Sequence, residues 1–413
     1  MNTLANSPLT DRSDFIAPTM ESAAVSISWF YNDIPPFVEA ELLRLYQNPF
    51  STLAKFRTYN LLDKVSTYVV RKHGKIVTIF LFRHDGQQVK VLNEFLKTDE
   101  EELNRFARHI FSTFKSVDAI NFGPTHTEFT KLAFPCHRID FNEDIVTSLP
   151  GCTEEYQAGL GRSTRQNINH TEKKLKRQFP TLSTIVQENE DIDEHQFRSV
   201  IKLNQERMAS KSKVHGIDEQ EVQRLYTLAK TAGLLLVLSI DGKICAGAIC
   251  CRAGPNFFLY VIAHDSGFDA LGLGTYCCYC VICECISRDG KEFHFLWGRE
   301  QYKYRFLGVQ QDFGLLTIYR SRMKSILDAR KIVVAEAKAQ IRQVKLWLLA
   351  PERRERAILQ LAVRFIRAMR RARQEALQKV CNAAIGATSE EEFLDCRKTT
   401  ENDRISPNQW RTE

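Results

Sequence analysis

Glycine and proline are scarce. The chain has 19 and 12 of them among 413 residues, against a combined share of roughly 12 per cent in an average protein, and this excludes collagen-like and low-complexity architectures. Long apolar runs are missing too. The longest uncharged stretch, Ala270 to Cys283, is interrupted by two glycines and falls short of the roughly 18 to 20 apolar residues that a bilayer crossing needs. The first residues lack a basic segment followed by an apolar one, the mark of a signal peptide, so the chain is expected in the cytoplasm. Nor do the cysteines form a compact disulfide framework. All 12 lie between Cys136 and Cys396, largely within apolar segments, and reduced thiols are expected.

Core material is plentiful. Apolar residues make up 44% of the chain, and its length suits two or three domains of about 150 residues each. Charge is segregated: Arg320 to Lys379 holds 17 basic and 5 acidic residues, a net +12 in a chain of net +7, which leaves −5 for the rest. A basic appendage on a mildly acidic body points to a phosphate-rich or anionic partner.

Polar residues dominate to about residue 28, which reads as a flexible tail, and order is expected from Trp29. A helix-spaced FVEAELLRLYQ precedes three apolar runs, STYVVRK, KIVTIFLFR and QQVKVLNEF, with hairpin punctuation at His73-Gly74 and Asp85-Gly86. A helix fits Glu101 to Phe114, and strands fit Val117 to Phe122 and Phe134 to Phe141. A connector at Asn142 to Gly151 and a basic helix at Arg162 to Arg177 follow. The order then returns, with a strand at Leu182 to Gln187 and helices at Glu194 to Ala209 and Asp218 to Thr231. Strands at Leu234 to Ile240, Lys243 to Cys251 and Phe257 to His264 come next. A helix at Thr275 to Arg288 and strands at Phe293 to Trp297 and Asp312 to Tyr319 complete the block. An antiparallel meander that passes through a helix into a parallel neighbour predicts an α/β fold of the α+β, mixed-sheet kind. The expected division is a tail at 1–28, domains at 29–144 and 145–319, a basic helical extension at 320–386 and a flexible tail at 387–413.

Gly272-Leu273-Gly274-Thr275 joins a strand to a helix. Glycines let a backbone approach a phosphate closely, and the free amides and dipole of a helix start then bind it. A tight turn without a ligand is the alternative. The corresponding connection in the first half, Asn93 to Glu100, has no glycine and several acidic residues, and is unsuited to a pyrophosphate.

The order of strand, two helices, three antiparallel strands, glycine loop, helix and strand resembles the GNAT acyltransferase fold. A tandem with only the second copy complete is similar to the Fem-type peptidoglycan aminoacyl transferases and to the acetyltransferase-like domain of CelD-type cellulose-biosynthesis proteins. Three segments carry the likeness: GRSTRQNINHTEKKLKR at Gly161 to Arg177, DALGLGT at Asp269 to Thr275, and FLWGREQYKYRFLG at Phe295 to Gly308. The resemblance implies tandem GNAT-like domains, the first degenerate. It further implies transfer of an acyl group from acyl-CoA to an amine or hydroxyl in envelope or polysaccharide biosynthesis, with the donor held wholly in the second domain. A non-catalytic adaptor of a polysaccharide synthesis complex and a Fem-like aminoacyl transferase stay open as alternatives. Asp269 stands where the GNAT loop usually has Gln or Arg, a carboxylate in phosphate territory, so an acyl carrier or aminoacyl-tRNA stays open as donor.

By the same resemblance, the donor's arm runs along the backbone of Tyr260, Val261 and Ile262, and its phosphates meet Gly272, Leu273, Gly274 and Thr275. Lys303, paired with aromatic Tyr302, is the expected oxyanion or phosphate contact, against a solvated surface lysine as the plain alternative. His264 or Asp265, at a strand end beside the cleft, would accept the proton, neutral histidine suiting that work near pH 7. For Asp265 the alternative is turn stabilisation. Arg165 of the basic helix, Arg299 and Tyr302 are expected at the acceptor or a carrier phosphate.

Cys280 and Cys283 have CxxC spacing within CCYCVICEC. The run continues a helix with no histidine cluster nearby, so small apolar packing is expected and no metal. Glu352 to Val380 places Ile358, Leu361, Phe365 and Met369 near one helix face with arginines elsewhere. This pattern suits peripheral attachment to the inner, anionic face of a membrane through residues 320–380; packing on the body or pairing with another chain, the commoner fate of such stripes, stays open as the alternative. No base-reading module or stacking platform is present, so sequence-specific nucleic acid is not expected.

Overall fold

A computed structural model of the protein describes residues 25–127, 131–210 and 217–328. Most of the expected basic extension, and the flexible tails except for residues 25–28, lie outside the described residues. The chain divides into two compact units, neither contiguous in sequence. The first comprises Met1–Cys136, Arg252–Asn256 and Leu315–Arg322, and the second His137–Cys251, Phe257–Gly314 and Met323–Glu413.

In chain order the first unit contains β1 (Val25–Phe30), α1 (Val38–Tyr46), α2 (Leu53–Thr58), β2 (Val65–Lys72), β3 (Lys75–Asp85), β4 (Gln88–Val91), the two-residue β5 (Leu96–Lys97), α3 (Glu100–Thr113) and β6 (Ala119–His126). Its sheet order is β1-β2-β3-β4-β6. β1 to β4 are antiparallel, whereas β4 and β6 run parallel in the register Gln88↔Ala119. Side chains alternate between faces, as the strand period of two dictates. Tyr68, Val70, Phe80 and Phe82 pack against Leu103, Phe106 and Ile110 of α3, while Val69, Ile79 and Leu81 pack against Val38, Leu42, Leu53 and Phe56 of α1 and α2. The segment from Leu315 completes the first of these cores with Leu316 and Ile318. Arg320 then donates to the carbonyls of Phe111, Phe114 and Val117.

The second unit continues with β7 (Cys136–Ser148), α4 (Thr153–Gly159), α5 (Arg162–Gln178), β8 (Ser183–Glu188), α6 (Glu194–Ser210), α7 (Glu219–Ala232), β9 (Gly233–Ile240), β10 (Lys243–Ala253), β11 (Asn256–His264), α8 (Leu273–Ile286), β12 (Glu292–His294), α9 (Gln301–Arg305) and β13 (Val309–Tyr319). The short α10 (Arg322–Leu327) follows. The strand order is β7-β12-β11-β10-β9-β8. Leu234, Leu236 and Leu238 of β9 face α5 and α8, and Leu235 and Val237 face α6 and α7. From β1 to β6, leaving aside the two-residue β5, and from β8 to β12, both units thus follow one order: strand, two helices, three strands, helix, strand. The tandem mixed α/β architecture read from the sequence is the one observed.

Two local expectations need correction. Val25 to Ser28, inside the expected 1–28 tail, are strand, because Val25–Phe30 pairs with Thr67–Lys72 of β2. The connector expected from Asn142 is strand through Ser148. Ile145 and Val146 supply buried apolar faces there, and Glu143 and Asp144 are buried with partners of their own. Among the described residues no helix is long and apolar enough to cross a membrane.

Candidate active site

β11 ends at His264, and a short 3-10 helix, Ser266–Leu271, leads into α8. Gly272 opens the helix at φ +71°, a left-handed conformation that glycine adopts without a Cβ penalty. Gly274 is needed for a different reason: a Cβ there would lie 2.5 Å from Nδ1 of His264. The imidazole therefore rests against the first turn of α8. Its Nε2 is 2.6 Å from Oδ1 of Asp269. The carboxylate in phosphate territory is thus paired with an imidazole. Thr171 of α5 lies over Gly272, so α5 and α8 enclose the turn from one side.

Lys303 is enclosed. It is 3% exposed, and its ammonium donates to the carbonyls of Phe295 and Leu296 at 3.2 Å and of Trp297 at 2.6 Å, with Glu300 Oε2 at 3.2 Å. Leu296 has φ +57° and Gly298 φ +96°. The chain kinks after β12, and its carbonyls converge on one cation. Burial lowers the lysine's pKa below its ordinary value, against the pull of Glu300. In this arrangement Lys303 closes a strained loop and presents no free hydrogen to a ligand. The rest of its motif packs around it. The Phe306 carbonyl accepts from Thr147 Oγ1 and Tyr156 Oη, and Gly308 backs so closely onto Ile145 and the Lys303 carbonyl that no side chain fits.

Beside this loop lies a buried polar cluster that the sequence reading missed. His294 Nδ1 is 2.7 Å from Asp144 Oδ2, its Nε2 is 3.2 Å from Glu292 Oε2, and its ring stacks on Phe258 at 4.0 Å. Burial alone would depress the imidazole's pKa, but Asp144, with Glu292, outweighs it and holds the value above normal. Glu143 Oε1 accepts from the Gly298 amide, and its Oε2 is 3.4 Å from Arg299. The available signal was the alternation FNEDIV, in which a charged pair interrupts a strand pattern. Read as a connector, it hid two buried carboxylates.

The remaining candidates scatter. Asp265 caps the turn through the Gly267 amide and pairs with Lys243; these contacts, the amide first, hold its carboxyl below the usual range. This is the turn-stabilising arrangement. Arg165 donates to the Ala158 carbonyl, and Arg299 is exposed beside Glu143. Tyr302 packs edge-on to Phe295 in the core, and burial raises its pKa. Val261 is buried against α6 and α7, Tyr260 packs against the same core, and the Ile262 carbonyl accepts from Arg207. On α8, Cys277, Cys278 and Cys285 are fully buried, burial pushes the first two thiols well up, and among the described residues no group of metal-ligating side chains assembles.

Residues 162–304 match the family described as an acetyltransferase (GNAT) domain. Among solved structures, FemX is similar over 68% of this chain and 96% of its own, at 10% identity and a TM-score of 0.50. L-PGS from Bacillus licheniformis matches over 73% and 96% at 10% identity and 0.42. A tandem GNAT protein from the clavulanic acid biosynthesis pathway matches over 71% and 98% at 10% identity and 0.37. At such identities the likeness to FemX is one of fold. No curated protein matches the chain in sequence. But for Arg252–Asn256 the family match lies within the second unit, on the elements that carry the glycine turn and Lys303, and the chain therefore carries a GNAT-fold acetyltransferase domain there.

Proposed function

We propose that the second unit transfers an acyl group from a phosphate-bearing thioester, acyl-CoA, to an amine or hydroxyl. One observation carries this reading: Gly272, left-handed, opens α8 beside a strand end, the geometry in which free helix amides meet an anion. The reaction needs the donor carbonyl and the nucleophile at near-attack distance, a hydrogen-bond donor for the developing oxyanion, and an outlet for one proton. The nucleophile's lone pair attacks the thioester carbon, the C–S bond breaks as the tetrahedral intermediate collapses, the nucleophile's proton passes to a base, and CoA leaves as a thiolate that takes up a proton to become the free thiol. His264, tied to Asp269, is the nearest imidazole to the donor turn and takes that role once its ring moves off Gly274. Lys303 supports the reaction by holding the backbone of Phe295 to Trp297 in place. An envelope or polysaccharide precursor as acceptor, and membrane attachment through residues 320–380, enter from the sequence alone.

An aminoacyl ester is the second reading, favoured by Asp269 and by the imidazole that covers the first turn of α8. Calorimetric titration with acetyl-CoA separates the two. Saturable binding that Gly274→Val removes supports the thioester reading. Absence of binding by the intact protein, together with labelled acetyl-CoA that marks no product in a metabolite extract, overturns it in favour of another donor or a non-catalytic adaptor.

A further inference from the structure

The short helix α10 is amphipathic the wrong way round. Met323, Ile326 and Leu327 share one side of it and are 71%, 71% and 70% exposed, whereas Lys324 and Ser325, on the other side, are half-buried. Single exposed apolar residues need no explanation, but three contiguous ones facing water call for a cover. The Asp328 amide donates to the Lys324 carbonyl at 3.2 Å, so the helical ladder is unbroken at the last described residue.

The sequence carries the same face onward. Neither glycine nor proline occurs from Ala329 to Ala350, and Pro351 separates this stretch from a second, Glu352 to Ala384, that also lacks both. Steps of three and four lead from Leu327 through Arg330, Val334, Ala337, Ile341 and Val344 to Leu348, the spacing of a helix-pairing seam. The second stretch answers it in reverse. With Ile358 set opposite Leu348, Ala362 falls at Val344, Phe365 at Ile341, Met369 at Ala337 and Ala372 at Val334, so that large side chains mostly meet small ones, as close packing favours. The same register brings Glu375, the only acidic residue from Arg356 to Val380, beside Arg330, the only charged residue of the first seam. It ends with Val380 opposite Ile326. Leu327 to Leu348 is a step of 21 residues and Ile358 to Val380 one of 22, about 32 and 33 Å as α-helix, so the lengths on either side of the proline match.

We infer that the apolar face of α10 is covered by residues 376–383 of the same chain, in an antiparallel helical hairpin that turns at Pro351. The matched lengths favour a cover from the same chain, and the same seam laid parallel on a second copy would set Arg330 against Arg330. Arg364, Arg367, Arg370 and Arg371 fall off the buried seam. The extension therefore meets an anionic partner with charge and keeps its apolar stripe to itself. The inference is independent of the acyl-transfer reading, which uses none of these residues.

Disulfide trapping in the full chain tests it, in a Cys381→Ser background. Ile326→Cys with Val380→Cys brings two thiols within bonding distance only where the two helices lie side by side. After mild oxidation, peptide mass spectrometry is expected to find the bond between these positions within one chain, at a yield unchanged by tenfold dilution. Ser325→Cys with Val380→Cys, on the far side of α10, is expected to give at least tenfold less. Glu375→Arg, added to the first pair, is expected to lower the yield severalfold. Ile326 is exposed, so the fold is expected to survive its replacement, which the thermal midpoint checks. A bond found only between chains assigns the face to a second copy and overturns the inference. A bond that phosphatidylglycerol vesicles abolish gives the stripe to lipid and overturns it as well. So does the absence of any bond, or equal yield in the Ser325→Cys control.

Discussion

Lys303 shows how a residue picked out for chemistry acquires a different physical task. Its hydrogens are committed to three carbonyls and Glu300, so removing the ammonium strands buried acceptors, each worth roughly 1 to 3 kcal/mol. Lys303→Met is expected to lower the unfolding free energy by about 3 kcal/mol or more, measured by urea denaturation. An unchanged midpoint would show that the loop holds itself. His294 gives a pH signature. Its folded pKa is raised, so the Asp144 pairing contributes fully below the unfolded value near 6.5, and that contribution is lost as pH rises through the folded pKa. Stability of the intact protein is expected to fall with pH above about 6.5, with a shallower slope in His294→Gln. Equal slopes in the two proteins would contradict this.

At the scale of elements, the glycines separate what was legible from what was not. The turn Gly272 to Thr275 was visible because glycine at a strand-to-helix junction is a local signal. What presses on Gly274 was not, since His264 reaches it only through the fold. Gly274→Ala is expected to push the His264 ring away from α8 and break its contact with Asp269, at a cost of about 1 to 3 kcal/mol. The shift of the His264 ring resonances checks it, and an unmoved imidazole would refute the packing described. The repeated strand and helix order was likewise readable, because period-two and helical spacings are local. Asp144 and His294 are 150 residues apart, and no spacing rule links them. Lys303 was singled out by motif, yet its carbonyl partners come from a kink at Leu296 that no propensity announces.

At the scale of the whole molecule, the first unit is not complete at Cys136. Leu316 and Ile318 enter its core and Arg320 ties down three carbonyls. Burial of a Leu or Ile side chain is worth about 1.5 to 3 kcal/mol, so losing this segment removes a large part of the 5 to 15 kcal/mol that keeps a typical domain folded. Residues 25–136 alone are expected to be protease-sensitive. Adding a peptide of residues 315–322 is expected to restore protection, and full protection without it would show that the segment is dispensable.

That late-arriving strand also sets a timetable for synthesis. A ribosome adds about 5 to 20 residues each second, and domains commonly fold as they emerge, amino end first. Here the order is inverted, since the earliest-made unit waits for Leu315 to Arg322, 179 codons after Cys136. By then the intervening unit has its segments His137–Cys251 and Phe257–Gly314. Until the strand appears, the nascent amino-terminal half exposes an unfinished apolar surface, so its safe passage depends on translation speed and on whatever chaperone meets it at the exit tunnel.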